Sequence, residues 1–526
     1  MNGAEALLRS LVASGVDACF ANPGTSEMHF VAALDRVPEM RAVPTLFEGV
    51  ATGAADGFAR VAGRPAATLL HLGPGFANGM ANLHNARRAQ VPLVNVVGDH
   101  ATFHQRFDAR LQSDLWGMAA TTSAWQRSST RAEDVGADGA DAVAASYGPP
   151  GGIATLIVPA DVSWDEGGRP APPRPRAPLP LVPADTVEHV AKILRSGEPA
   201  TLLIGGAAMG ERGLRAAERV ARATGAKLLC ETFPTIHARG GGLPGPEKMA
   251  YYGEMGTAQL EGSRVLVLAG ARSPVAFFAY PGKPGDLVPP GCPVEPLAGP
   301  GVDVVAALEQ LAEAVGAGEA PGSPGGPGGG GGGGGGRERP DRPSGALTTE
   351  TMAAAVGHLL PEGAIVVDES ITSGLSVPAA TAHGPRHDWL ALAGGSIGQG
   401  LPVATGAAVA APDRRVLCLE ADGSAMYTVQ SLWTQAREGL DVTTIVLANR
   451  SYAILQFELA RVGASGDGAR AASMLDLHRP ALDFVDIAAG LGVPASRAHS
   501  ADELADLLER CLATDGPSLI EAVLAP

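Results

Sequence analysis

Short, mostly apolar runs recur along this chain, and each is followed by a helix-length stretch rich in Ala and other small residues. The first third holds such runs at residues 17–20, 67–70 and 93–97, the middle at 201–204 and 265–268, and the last third at 365–367, 416–419 and 444–448. A strand with one wet face alternates apolar and polar residues, whereas a run apolar throughout is covered on both faces. Strands of that kind alternating with helices predict α/β architecture, here three doubly wound parallel-sheet domains. No internal repeat is visible.

Two stretches interrupt the pattern. Residues 316–345 contain nine consecutive glycines (residues 328–336) flanked by Pro and charged residues. Such a segment cannot bury apolar surface and reads as a flexible linker. Residues 167–183, rich in Pro and Arg, read as a second boundary. The expected division is 1–165, 184–315, the linker 316–345, and 346–526.

Composition narrows the function classes. The chain has 526 residues, is 45% hydrophobic and 18% charged, and carries a net charge of −16. That balance disfavours nucleic acid or an anionic membrane as partner, so an anionic ligand must be held by local devices. The five cysteines are scattered without a CxxC pair, which suggests neither a disulfide framework nor a zinc site. No basic and apolar leader opens the sequence, and no apolar stretch reaches the ~20 residues of a membrane span. A cytoplasmic protein is expected.

Candidate chemistry lies at the ends of the apolar runs. Leu419 leads into Glu420-Ala421-Asp422-Gly423-Ser424, and the next run ends at Asn449-Arg450-Ser451. Asp422 and Asn449 lie 27 residues apart (449 − 422), the length of one strand–helix–strand unit. Neighbouring parallel strands would bring both to one sheet edge. A carboxylate, an amide oxygen and a backbone carbonyl, here Ser451's, suit a hard divalent cation on a diphosphate. Gly423 and Ser424 would let backbone approach the phosphates at a helix start. An ordinary strand-end Asp-Gly turn would look the same. Glu48 opens a stretch of small residues at 49–60 and reads equally as a helix-start acid. Asn22-Pro23-Gly24-Thr25-Ser26-Glu27 is a turn into a helix, with Thr25 or Ser26 as N-cap. His71, at a strand end beside a rigid Gly73-Pro74-Gly75 loop, could move protons near neutral pH, although a lone His is more often structural. Asp368-Glu369-Ser370-Ile371-Thr372 and Gly394-Gly395-Ser396-Ile397-Gly398 are loops at strand ends in the last third.

In this order the five motifs resemble those of the thiamine-diphosphate enzymes acting on 2-keto acids, a family that includes acetolactate synthase, pyruvate oxidase and benzoylformate decarboxylase. The resemblance covers nearly the whole chain apart from the glycine-rich segment and is closest to an acetolactate synthase large subunit-like branch. It implies a pyrimidine-binding domain, a middle domain and a diphosphate-binding domain. Glu48 matches the glutamate that hydrogen-bonds the cofactor's aminopyrimidine. Asp422, Asn449 and the Ser451 carbonyl match the Mg²⁺ ligands, and Thr372, Gly423 and Ser424 match diphosphate contacts. Gly395 matches the residue whose carbonyl meets the 4′-amino group, Ile397 the apolar residue under the bent cofactor, and Pro23 and Gly24 the loop beside the pyrimidine. His71 and Thr25 match active-site positions of benzoylformate decarboxylase. Phe277, Phe278, Ile454 and Leu455 are expected to shape the substrate pocket. The resemblance also implies a homodimer or homotetramer with sites between subunits.

Departures bear on the reaction. Gly49 stands where acetolactate synthases carry Gln, and their flavin signatures are not recognisable at residues 233–244, which puts FAD in doubt. No His occurs in residues 273–280, where the decarboxylase has its second one. That tilts the expectation toward ligation of two keto acids, as in the acetolactate synthesis of branched-chain amino acid biosynthesis. Simple decarboxylation is the alternative. Ala421 and Arg450 replace a usual Gly and a small residue without removing a ligand, and motivate a third possibility, an inactive regulatory homologue. A dinucleotide enzyme is weaker still, because Gly205-Gly206 is not a full fingerprint.

Overall fold

The structure is a computed structural model that describes residues 1–318, 339–464, 466 and 468–525. The nine-glycine run lies outside the described residues. Each apolar run becomes a strand, lengthened by one to three residues in most cases. β1 (Ala18–Asn22), β2 (Arg41–Pro44), β3 (Ala66–Leu70), β4 (Leu93–Asp99), β5 (Trp125–Ser128) and β6 (Ile153–Pro159) form a six-stranded sheet in the order β2-β1-β3-β4-β6-β5. The middle of the chain supplies β7 (Ala200–Ile204), β8 (Lys227–Cys230), β9 (His237–Arg239), β10 (Glu247–Lys248), β11 (Val265–Ala269) and β12 (Val294–Ala298). All but β9 join a second sheet, β10-β8-β7-β11-β12. β13 (Ile365–Glu369), β14 (His387–Ala391), β15 (Val416–Ala421), β16 (Val442–Ala448), β17 (Ala495–Ala498) and β18 (Ser518–Val523) build the third, ordered β17-β18-β16-β15-β13-β14-β9.

Among the described residues every strand pair is parallel except β9 with β14. The edge strand β9 comes from the middle segment and adds an antiparallel partner to the third sheet. Three residues, His237-Ala238-Arg239, carry no readable period, so only the tertiary fold reveals this pairing. Residues 167–183 also run back over the first sheet's domain: Ala171 N–H donates to Ser10 Oγ at 2.9 Å, and Arg174 pairs with Asp141 at 2.7 Å.

Five helices position the site: α1 (Glu48–Ala62), α2 (Leu72–Ala89), α3 (Gly253–Leu260), α4 (Gly400–Ala410) and α5 (Ala453–Arg461). α1 and α4 belong to different sheets and pack directly on one another. Their residues are almost all small and buried. A methyl group at Gly57 would strike the backbone of Val403, and one at Gly406 would strike the Ala54 carbonyl. Such an approach brings backbone within contact of backbone, which no larger side chain permits.

A buried ion pair locks the same seam. Arg60 donates Nε to Asp56 Oδ1 at 2.8 Å and Nη2 to Oδ2 at 2.7 Å, with neither side chain exposed. Arg60 Nη1 also reaches the Ala391 carbonyl at 2.8 Å, and Gln399 Nε2 donates to Asp56 at 2.9 Å. A buried pair is tolerable when its remaining donors and acceptors are used in this way. Gly406→Val should therefore lower stability by about 3 kcal/mol through overpacking, read as a fall in the urea midpoint.

Candidate functional site

The carboxyl ends of β1, β2 and β3 carry one cluster. After β1 the chain turns through Pro23 and Gly24 into a short 3₁₀ turn, Thr25–Glu27. Gly24, rather than Thr25 or Ser26, is the cap, because Glu27 Oε2 reaches back to accept the Gly24 N–H at 2.7 Å. The same carboxylate oxygen meets His71 Nδ1 at 2.8 Å. Glu27 is itself buried, and a methyl group on Gly24 would collide with the His71 ring. Gly73-Pro74-Gly75, expected as a loop after His71, instead forms the first turn of α2. A proline is tolerated there, since a first-turn N–H has no helical acceptor to lose.

Glu48 begins α1, buried, and its Oε2 accepts Asn78 Nδ2 of α2 at 2.9 Å. Its Oε1 faces Gly75. Thr25, Glu48 and His71 thus share one sheet edge with Glu27 and Asn78, two groups that the sequence reading did not select. Glu27 had a legible signal, its capping-box spacing of three residues from Gly24. Asn78 had none before α2 was known to pass α1.

The second cluster lies at the carboxyl ends of β15 and β16, which are adjacent and pair Ala421 with Leu447. Asp422, Gly423 and Ser424 begin a single buried helical turn, Asp422–Ala425. Asp422 Oδ1 accepts the Gly423 N–H at 2.8 Å and Oδ2 the Arg450 N–H at 2.6 Å. Arg450 adopts φ +57°, the left-handed region, which turns that N–H inward and costs about 1 kcal/mol for a residue with a Cβ. Asn449 Oδ1 accepts the Ser451 N–H at 2.9 Å, and its Nδ2 donates to Ser373 Oγ at 3.2 Å, next to Thr372. Burial raises the Asp422 carboxyl above its ordinary range, against the two backbone donors. A cation beside it would reverse that shift. Hard oxygens with spare lone pairs at a helical turn fit Mg²⁺ and a diphosphate.

Between the clusters runs the loop that bears Gly395 and Ile397. α2 grips it from one face: Asn85 Nδ2 donates to Ser396 O at 2.8 Å and its Oδ1 accepts the Ser396 N–H at 3.0 Å, while Asn82 Nδ2 donates to Gly398 O at 3.1 Å. β13 holds its other end, where Glu369 accepts the N–H groups of Gly398 at 2.6 Å and Gly400. Gly395 has φ +78°, and a methyl group there would meet the Phe277 ring. Phe277 in turn packs with Phe278, Phe233 and Tyr251, ring centres 5.0, 5.9 and 5.1 Å away. Ile454 and Leu455 sit in the first turn of α5, just past Ser451. Among the described residues no hydrogen bond joins the Glu48 cluster to the Asp422 cluster.

With this geometry in view, similarity to known proteins decides the family. Residues 1–120 match the model of the thiamine pyrophosphate enzyme N-terminal TPP-binding domain, and residues 374–522 that of the C-terminal TPP-binding domain. The acetolactate synthase large subunit-like protein IlvX of Mycobacterium tuberculosis H37Rv is 58% identical over 525 residues, covering 100% of this chain and 99% of its own. The chain belongs to the thiamine pyrophosphate enzymes. A benzoylformate decarboxylase of Pseudomonas aeruginosa is 31% identical over 536 residues, with 96% of each chain covered. The solved thiamine diphosphate-dependent 4-hydroxybenzoylformate decarboxylase of Rhodococcus jostii RHA1 superposes with a TM-score of 0.85 at 26% identity, covering 100% of this chain and 99% of its own. No described helix is long and apolar enough to cross a membrane.

One buried pair in this family member has a cost that pH exposes. β13 and β15 align Glu369 directly with Glu420, both buried, and Glu420 Oε1 has no hydrogen-bond partner among the described residues. Burial pushes Glu369 up to about 7, and burial together with Glu369 pushes Glu420 well above the carboxylate range. An acid raised on folding destabilises the native state once pH exceeds its unfolded value, increasingly so up to the folded one. Glu420→Gln should match wild type near pH 4 and exceed it by about 1–2 kcal/mol at pH 8, measured by urea unfolding at both.

Proposed function

We propose that this thiamine pyrophosphate enzyme decarboxylates a 2-keto acid bearing a bulky, aromatic substituent and releases the product as an aldehyde. The observation that carries this reading is the Glu27–His71 pair at 2.8 Å, beside Gly24 on the sheet edge that holds Glu48. A proton donor fixed at one ring nitrogen is equipped to deliver its proton from the other. The aromatic cluster over Gly395 supports a flat apolar substituent, which such rings stack upon.

Roles follow from the chemistry of each side chain. Thiamine diphosphate, when bound, supplies the electron sink that lets the keto acid's carboxylate leave as CO₂. Glu48, steadied by Asn78, is the carboxylate for the aminopyrimidine, and Pro23 and Gly24 line its side. Asp422, Asn449 and the Ser451 carbonyl hold Mg²⁺, with Gly423, Ser424 and Thr372 toward the diphosphate. Gly395 and Ile397 face the ring system. With Glu27 accepting the Nδ1 proton of His71, Nε2 is the nitrogen that takes up a proton and passes it on. Thr25 lies next to this pair and offers a hydroxyl to the substrate carboxylate. Phe277, Phe278, Ile454 and Leu455 exclude water from the reacting carbon.

A second reading, ligation of two keto acids to an acetohydroxy acid, draws on the stretch 273–280. It contains no imidazole, and its Tyr280 hydroxyl is committed to Glu458 at 2.8 Å. Product analysis separates the two. With thiamine diphosphate and Mg²⁺, the purified protein should evolve CO₂ and an aromatic aldehyde from benzoylformate. Acetolactate from pyruvate as the main product would replace the first reading with the second, and no turnover of any keto acid would sink both. Glu48→Gln should lower kcat by at least about a hundredfold while cofactor binding persists, and Glu27→Gln by about tenfold.

The site is read as shared between two copies of the chain. Large apolar side chains stand exposed beside each cluster: Leu46 and Met28 near Glu48, Met426 and Tyr427 after the Asp422 turn. Such patches mark surfaces that a partner covers. Complementation tests this arrangement. Inactive Glu48→Gln and Asp422→Ala chains, coexpressed, should regain activity, because a mixed dimer contains one intact site only when its halves come from different chains. Persistent inactivity of the mixture would place both halves in one chain.

A further inference from the structure

α5 opens two residues beyond Ser451, and no apolar core holds it. None of its residues is buried, and Leu455 and Phe457 leave 46% and 57% of their surface exposed. A helix this short is not stable alone and normally takes its place from an apolar face against a core. Here polar contacts at the two ends take over that task.

At the start, the Tyr452 ring covers Gly423, and Gln456 Nε2 donates to Ser451 Oγ at 2.9 Å. At the far end Arg461 forks onto Glu254 of α3, Nη1 to Oε1 at 2.5 Å and Nη2 to Oε2 at 2.8 Å. The guanidinium also lies 4.3 Å from the ring centre of Tyr252 and 4.5 Å from that of Tyr280. Tyr280 donates to Glu458 on α5, and Lys283 stands 3.2 Å from Glu254. The fork from Arg461 holds the Glu254 carboxyl down to about 2, so the pair stays charged through the neutral range.

These partners are not an arbitrary patch of surface. Tyr280 lies two residues after Phe278, and Tyr252 packs on Tyr251, whose ring contacts Phe277. The same aromatic cluster therefore touches Gly395 at one end and grips Arg461 at the other. The backbone of α5 leads from the Asn449–Ser451 turn to this grip.

We propose that Arg461 and Glu254 form a latch that positions α5 against the middle-domain aromatic cluster and thereby sets the width of the substrate pocket. It rests on the reading of Ile454, Leu455, Phe277 and Phe278 as pocket walls. Arg461 is a positioning residue, acting through α5 and touching no reacting atom. Lysine cannot replace it, because a point charge supplies neither the fork nor the planar stack between two rings.

Hydrogen exchange on the protein alone tests the latch independently of its substrate. In Arg461→Ala and Glu254→Gln the amides of residues 453–461 should exchange about tenfold faster, with Arg461→Lys intermediate and β15 and β16 unchanged. The reversed pair, Arg461→Glu with Glu254→Arg, should recover part of the protection. In turnover, KM for the keto acid should rise about tenfold while kcat stays within about twofold and thiamine diphosphate affinity is unchanged. Unaltered exchange overturns the latch whatever the substrate proves to be. Faster exchange with unaltered KM overturns its part in the pocket, and loss of cofactor affinity in step with KM makes the contact a general requirement of the fold. Should wild type turn over no keto acid, the functional reading and the pocket role fail together, while exchange still decides the latch.

Discussion

Backbone-to-backbone packing of α1 on α4 is the constraint on which the site depends. Glycines at 57 and 406 let the two helices approach until Cβ atoms would collide with carbonyls, and the fully buried Asp56–Arg60 pair secures the seam. α1 begins at Glu48 and α4 follows directly on the loop bearing Gly395 and Ile397. The seam therefore sets where Glu48 of the first sheet stands relative to the 394–398 loop of the third. A helix pair with larger residues would separate them by several ångströms, and side-chain flexibility does not compensate for a shift of that size between the two clusters one chain presents.

Polar side chains complete what the packing begins. Asn78, Asn82 and Asn85 lie along one face of α2 and tie Glu48, the α1 backbone and the 394–398 loop together. Glu369 holds the loop's other end, at the cost of a buried carboxyl facing Glu420. Strain of this kind is common where a site is built, because binding groups must be fixed before the ligand arrives. Arg450 in the left-handed region is a second instance: its backbone N–H is turned onto Asp422.

The chain belongs to the thiamine pyrophosphate enzymes, and its relatives include proteins named for acetolactate synthase and for benzoylformate decarboxylase. What separates these reactions is the fate of the decarboxylated carbon, which a proton donor and the pocket walls control. The lack of a second His inclined the sequence reading toward ligation. The Glu27–His71 pair and the aromatic cluster move the proposal toward aldehyde release, since a positioned donor and a bulky wall both disfavour a second keto acid.

The chain's own pattern determined a good deal. Fully apolar runs specified parallel, two-sided sheets because a strand without polar positions has no face for water. The spacing of Asp422 and Asn449 specified a shared edge because one strand–helix–strand unit returns the chain by one strand. Those are local or periodic properties, legible in one dimension. Tertiary structure alone decided that Glu27 pairs with His71, that α2 passes α1 so that Asn78 meets Glu48, and that β9 crosses to the third sheet. It likewise decided that α5 is held by Arg461 rather than by a core. Each of these joins residues remote in sequence, or sets one side chain between two partners, and a pairing between distant groups leaves no period for the sequence to display.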